Sequence, residues 1–180
     1  TKGKVYMKKC YTLPEGSRTA KGSAIVNVLD LDGDEKVSAV FPVTDMEADI
    51  DLLMVTKMGT VKKTPLSEYQ NIRQNGIIAM NIREGDELIA VIRTNGNDDI
   101  LLGTHDGMSI VFHENEVRRV GRTSFGVRGI TLRDGDYVVG AYRFYHDEYV
   151  LTISENGYGK RSAAGEYHIQ GRGGMGSRAM

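Results

Sequence analysis

Lysines and arginines recur along this chain in phase with glycine, a pattern suited to neutralising phosphate charge. The segment after one glycine supplies Lys8 and Lys9, then Lys62 and Lys63, then Lys160 and Arg161. The loop before a second glycine supplies Arg18 and Lys21, then Arg73, Arg122 and Arg172. The third copy departs from this scheme: MSIVFHE holds no cation, and Arg118 and Arg119 enter the loop that follows. Arg128 and Arg178, just beyond two of the second glycines, complete the candidate set. A single pair of this kind is an ordinary solvated surface feature. Recurrence in phase instead gathers the pairs into a basic stripe in space.

Other chemistry is weaker in the sequence. The acid pairs Asp34-Glu35 and Asp86-Glu87 sit beside glycines in DGDEK and EGDEL and read as turn formers. Nine tyrosines are dispersed, and no nucleophile, general base and metal set converges. Residues Gly171 to Gly176 fit the G-x-G-x-x-G dinucleotide fingerprint, which requires a preceding strand, a following helix and an acid about 20 residues on. The sequence has four residues after Gly176, so glycine here reads as a device for positive φ or close backbone approach. With Cys10 as the single cysteine, and His105, His113, His146 and His168 far from any thiol cluster, neither an internal disulfide nor a structural zinc site is expected.

The elements that position the cations form a repeat of about 50 residues. Gly59, Gly107 and Gly157 each close an apolar run (LLMVTKMG, ILLGTHDG, VLTISENG), and Gly3 opens the same phrase. Second glycines follow at Gly22, Gly76, Gly126 and Gly176, and Asp34, Asp86 and Asp136 mark an acidic turn. Runs such as AIVNVL, IIAMNI, LIAVIRT, DILLGT, YVVGAYRF and YVLTIS are β-branched and short, so they predict strands. Asp106-Gly107 and Asn156-Gly157 predict type I′ hairpins, and Asn95-Gly96 predicts another. Four strands per unit, repeated radially, predict an all-β, propeller-like disc with units at 1–43, 51–93, 99–144 and 149–180, about three and a half repeats in one domain. Met54, Met80 and Met108 fall in strands as core fillers.

Composition bounds the partners. The sequence has 180 residues and a formal net charge of −1, which by itself argues against a nucleic-acid partner. Local charge differs. Residues 1–22 carry six cations against Glu15, whereas Asp30, Asp32, Asp34, Glu35, Asp45, Glu47, Asp49 and Asp51 face Lys36 alone over 30–51. Radial repetition turns that segregation into a basic stripe and an acidic zone. No apolar run approaches the ~18 to 20 residues of a membrane span, and no signal peptide is evident, so a reducing cytosolic setting is expected.

GKVYMKKCYTLPEGSRTAKGSAIVNVL, GTVKKTPLSEYQNIRQNGIIAMNIREGDELIAV, EVRRVGRTSFGVRGITL and ENGYGKRSAAGEY resemble consecutive blades of the C-terminal domain of the DNA gyrase A subunit, over essentially the whole chain. The resemblance implies a β-pinwheel, in which blades are linked by exchanged strands and a basic rim bends double-stranded DNA. It implies further partners, the remainder of the A subunit and the B subunit, and a bacterial, nucleoid-associated location. ATP and Mg would belong to the holoenzyme and no cofactor to this domain, whose role would be non-catalytic support of negative supercoiling. The family's heptapeptide, Gln-basic-Arg-Gly-Gly-basic-Gly, belongs to a first blade that would precede Thr1. Residues 170–176 match its Gln, its Arg-Gly-Gly and its last glycine, with Gly171 and Met175 in place of the outer cations. They are read as the equivalent loop of a later blade, so this piece is expected to bind DNA but wrap it poorly or not at all. The A-type subunit of topoisomerase IV and a protein-binding propeller are the alternatives.

Overall fold

The computed structural model describes residues 2–31 and 33–180; Thr1 and Asp32, the latter one of the acids noted above, lie outside the described residues. Twelve strands occur among those described. They are β1 (Lys4–Val5), β2 (Asp51–Thr56), β3 (Thr60–Pro65), β4 (Ile77–Ile78), β5 (Leu88–Thr94) and β6 (Asp99–Thr104). There follow β7 (Met108–His113), β8 (Val127–Arg128), β9 (Val138–Phe144), β10 (Tyr149–Ile153), β11 (Gly159–Ala163) and β12 (Ser177–Arg178). Short 3₁₀ turns follow β3, β7 and β11, and no α-helix occurs among the described residues. No helix among them is long and apolar enough to cross a membrane.

Two four-stranded antiparallel sheets form, ordered β5-β2-β3-β8 and β9-β6-β7-β12. In each, the last strand comes from the following unit: β8 pairs with β3 through Val61↔Val127, and β12 with β7 through Ser109↔Ser177. The same exchange joins β1 to β4. Because each four-stranded sheet borrows a strand, the units it joins cannot separate without breaking backbone hydrogen bonds. Strand β2 is buried at all six positions. Leu53, Val55 and Val61 of one sheet share a core with Ile100, Leu102, Ile110 and Phe112 of the other. Met54, Met80 and Met108 are buried as expected, although Met80 lies two residues beyond β4 and not in a strand.

The hairpin tips differ from the predicted type I′ form. No non-glycine residue among those described has positive φ, so Asp106 and Asn156 cannot occupy the first position of such a turn. Instead the N–H groups of Gly59, Gly107 and Gly157 donate to the carbonyls of Thr56, Thr104 and Ser154 at 3.0, 3.1 and 2.9 Å. The glycines then take φ of 78, 75 and 81°. A tight turn followed by a left-handed glycine needs glycine only at its end. The Thr56, Thr104 and Ser154 hydroxyls accept from the N–H groups of Thr60, Met108 and Tyr158. The acidic turns clasp these tips: Asp86 Oδ1 accepts from Met58 N at 2.9 Å and Asp136 Oδ1 from Asp106 N at 3.0 Å.

Asn95-Gly96 is not a hairpin. Gly96 has φ 97°, but β5 and β6 on either side belong to different sheets, so the turn is a connection between blades. The first unit also departs from the expected pattern. AIVNVL contains a 3₁₀ turn at Ile25–Asn27, and 33–50 has no strand among the described residues. In the complete sheets the fourth strand pairs with the first, β5 with β2 and β9 with β6.

Candidate nucleic-acid interface

Strands β5 and β9 contact each other, whereas the exchanged strands β8 and β12 lie at the opposite edges of their sheets. That outer edge carries Arg128 and Arg178, both exposed, at the same step beyond Gly126 and Gly176. The glycines make the edge possible. A Cβ on Gly126 would stand 2.2 Å from the Val61 carbonyl oxygen, and one on Gly176 would stand 2.3 Å from that of Ser109. Any larger residue would hold the exchanged strand off its partner.

Two loop arginines work along the same edge. The Arg122 guanidinium donates to the Ile78 carbonyl at 3.1 Å, and that of Arg172 donates to the Arg128 carbonyl. Ile78 and Arg128 hold equivalent places on consecutive exchanged strands, so each arginine ties its loop to the strand one unit earlier. Arg172 also donates to the Glu116 carbonyl at 3.2 Å. These two side chains are half-buried and act as ties between blades.

Lys62 and Lys63 correct the expectation of a solvated basic strand: they are 1% and 4% exposed. β3 is central in its sheet, covered by β2 on one side and by β8 on the other. The Lys62 ammonium donates to the Ala79 carbonyl at 2.7 Å and to the Arg122 carbonyl. Burial, reinforced by the nearby Arg122 charge, lowers its pKa to about 8. Lys63 donates to the Glu114 carbonyl at 3.0 Å and to its carboxylate at 3.2 Å, with Glu114 fully buried. Neither side chain is open to solvent in this fold. The phase of the first pair also shifts, since Lys8 stands five residues after Gly3 whereas Lys62 and Lys160 stand three after theirs.

The remaining candidates divide by partner. Arg119 bridges Asp49 at 2.6 Å and Asp51 at 2.8 Å, and these bonds hold its proton more tightly than usual. The Lys160 ammonium lies 3.9 Å from Glu166, Arg161 stacks over Tyr149 at 4.6 Å, and Lys9 sits over Tyr11 at 5.7 Å. Lys8, Arg18, Lys21, Arg73, Arg118, Arg128 and Arg178 are exposed and make no ion pair among the described residues. Two exposed arginines outside the candidate set, Arg83 and Arg133, stand in phase ahead of the acidic turns. The repeated phrases REGD and RDGD were the signal for them.

Small-ligand chemistry finds little footing. A strand, β12, follows Gly176 where the dinucleotide fingerprint requires a helix. One atom each of His105, Asp106 and Asp136 come within 4.8 Å of one another. The Asp136 carboxylate there already accepts from Asp106 N and Tyr137 N, and His105 stacks on Tyr137.

Residues 1–44, 51–95, 98–144 and 148–180 match the family described as DNA gyrase C-terminal domain, beta-propeller. The DNA gyrase A subunit of Staphylococcus epidermidis (strain ATCC 12228 / FDA PCI 1200) is 49% identical over 97% of this chain, which spans 20% of that relative's length. Its counterpart from Staphylococcus aureus (strain NCTC 8325 / PS 47) is 48% identical over the same share. Among solved structures, the C-terminal domain of DNA topoisomerase IV superposes with a TM-score of 0.93 at 30% identity, covering 98% of this chain and 55% of that one. A DNA gyrase A C-terminal domain gives 0.80 at 24% identity, covering 97% and 56%, a likeness of fold alone.

Proposed function

The chain belongs to the DNA gyrase C-terminal domain family, and from that premise we propose that it binds duplex DNA without sequence preference along the edge formed by the exchanged strands. The observation that carries this reading is the pair Arg128 and Arg178, exposed, in phase and without an ion-pair partner among the described residues on that edge. Arg118 and Arg73 extend the same surface chemistry in the loops. Phosphate contact releases condensed counterions, and this gain offsets the roughly 1 to 6 kcal/mol needed to bend a site of ~20 to 30 bp. Such contacts position a duplex without reading its bases.

In the whole enzyme this piece would work with the rest of the A subunit and with the B subunit, in the bacterial cytoplasm at the nucleoid. ATP and Mg would act elsewhere in that assembly, and the bend would support negative supercoiling. The test is the salt dependence of binding to a duplex of ~40 bp. With about six phosphates contacted, log K falls against log salt with a slope near −5. A flat response would rule out the phosphate rim and favour a protein-docking disc.

A further inference from the structure

Phe125 is a large apolar side chain held out in solvent beside the outer edge. It is 56% exposed, although the sheets β5-β2-β3-β8 and β9-β6-β7-β12 around it both have their four strands. One unit earlier the same place, immediately before the second glycine, holds Asn75, and Ile78 stands where this unit has Arg128. The exposed ring and the exposed cation therefore enter the edge together.

The loop that carries Phe125 is fixed on both sides. Ahead of it, the Arg122 guanidinium donates to the Ile78 carbonyl at 3.1 Å, and the Arg122 carbonyl accepts from the buried Lys62 ammonium. The Thr123 carbonyl accepts from the Asn81 side-chain amide, and Ser124 N donates to the Gly121 carbonyl at 3.2 Å. Behind it, Gly126 lies directly against the Val61 carbonyl. A side chain presented from fixed backbone loses little freedom when it binds.

Its surroundings select the occupant by charge. Phe125 borders a small hollow with Met80, Ile82 and Arg83, and Arg128 follows three residues on. Both arginines are exposed and make no ion pair among the described residues. Two cations around an apolar tip suit a polyanion that also offers an apolar group. In a DNA duplex that group is the C5-methyl of thymine, which lies in the major groove, the groove wide enough to admit protein side chains and the one in which phenylalanine meets this methyl.

We infer, resting on the duplex-binding reading, that Phe125 packs against a thymine methyl in the major groove where that groove faces the rim. The arginines of the edge hold phosphates and read no bases. Phe125, from the loop beside that edge, adds the one contact that depends on the base, and it favours T-containing stretches at this blade.

The test removes the methyl from the DNA and the ring from the protein. Phe125→Asn installs the side chain used one unit earlier at an exposed position, so the core is untouched. Parent and variant are titrated across salt with one duplex and with its counterpart carrying uracil for every thymine, a change that deletes the methyls and leaves charge and pairing as they were. The parent is expected to bind the uracil duplex about fourfold more weakly, the worth of one methyl moved out of water. Phe125→Asn is expected to bind both duplexes alike, with the parent's salt slope, because no charge has been removed. Equal affinity of the parent for the two duplexes, with a steep salt slope, overturns the methyl contact and leaves duplex binding standing. A difference that persists undiminished in Phe125→Asn overturns the assignment to Phe125. A flat salt slope in the parent overturns the duplex reading, and this contact with it.

Discussion

The Lys63 ammonium lies 3.2 Å from the Glu114 carboxylate, and the two side chains are 5% and 0% exposed. They belong to consecutive units, so this ion pair fastens one blade to the next. Glu114 has further bonds: its Oε1 accepts from the N–H of Gly96 at 2.7 Å and of Asp98 at 3.0 Å, in the connection between the two sheets. Burial by itself would raise the Glu114 pKa; the nearby Thr94 hydroxyl, the bonds from Asp98 and Gly96 and the charge on Lys63 outweigh it and hold the carboxyl below its usual range.

Removing one charge of this pair is more damaging than removing both. Lys63→Met leaves a buried carboxylate without its cation and is expected to cost about 3 to 5 kcal/mol. Adding Glu114→Gln neutralises that carboxylate while its amide oxygen still accepts from Gly96 and Asp98, so the double variant recovers more than half of the loss. Apolar side chains already serve at the equivalent places, Val111 for Lys63 and Leu66 or Ala164 for Glu114. Urea unfolding of the two single variants and the double variant measures the coupling. Additive losses would show that the pair is not a unit.

Close approach at strand exchange is tested by two glycines of different kind. Gly126→Ala places a Cβ 2.2 Å from the Val61 carbonyl oxygen, against backbone that cannot move aside without breaking the β3–β8 pairing. Gly135 has φ 78° but open space around it, so Gly135→Ala carries conformational strain alone, about 1 to 2 kcal/mol. The first substitution is expected to destabilise by more than the second and to raise hydrogen exchange at the Val61 and Arg128 amides. Equal losses with unchanged exchange at β3 would contradict the geometric argument.

Much of this was legible from residue order, for reasons that are local. The apolar runs became β2, β6 and β10, and the glycines ending them took left-handed backbone that no other residue accepts cheaply. The exchanged strands were invisible to pattern reading. β8 and β12 are two residues long, and their partners stand more than 60 positions earlier in the chain. Lys62 and Lys63 misled because adjacent lysines look solvated. A signal to the contrary was present: three and four residues after Gly107, the same places hold Ile110 and Val111. Asn95-Gly96 was right only in giving Gly96 a positive φ; Asn95 does not share it, so the turn is not type I′, and turn chemistry cannot tell which sheets the flanking strands join.

The buried amine of Lys62 gives the fold a pH dependence of unusual sign. Its pKa falls from 10.5 to about 8 through burial and the Arg122 charge, opposed by Glu68. Between these values the unfolded chain binds a proton that the folded chain has released, so stability rises with pH. Tyr69, pushed up to about 12 by burial, works the other way, but only above the ordinary tyrosine pKa of 10.0. Relative to Lys62→Met, the parent is therefore expected to gain on the order of 3 kcal/mol as pH climbs from about 8 toward 10.5. Urea unfolding of both proteins at pH 7.5, 8.5 and 9.5 checks this. A difference that stays flat or shrinks would mean the amine keeps its proton.

Arg122 and Arg128 separate the mechanical from the electrostatic use of the same residue type. Arg122 donates to the Ile78 carbonyl, and its own carbonyl accepts from Lys62. Truncating its side chain to alanine removes a tie between consecutive units, and a loss of about 1 to 3 kcal/mol follows from one charged hydrogen bond. Arg128 reaches solvent from the outer strand, and the bond it offers Arg172 comes from its backbone. Arg128→Ala therefore leaves unfolding within about 0.5 kcal/mol of the parent, while its duplex salt slope becomes shallower by about 0.9. Stability and salt response thus move in different variants if the outer strand meets the phosphates. If Arg122→Ala flattened the salt slope while the stability loss appeared in Arg128→Ala, the assignment of tie and contact would be reversed, and the DNA would have to lie along the loops instead of the exchanged strands.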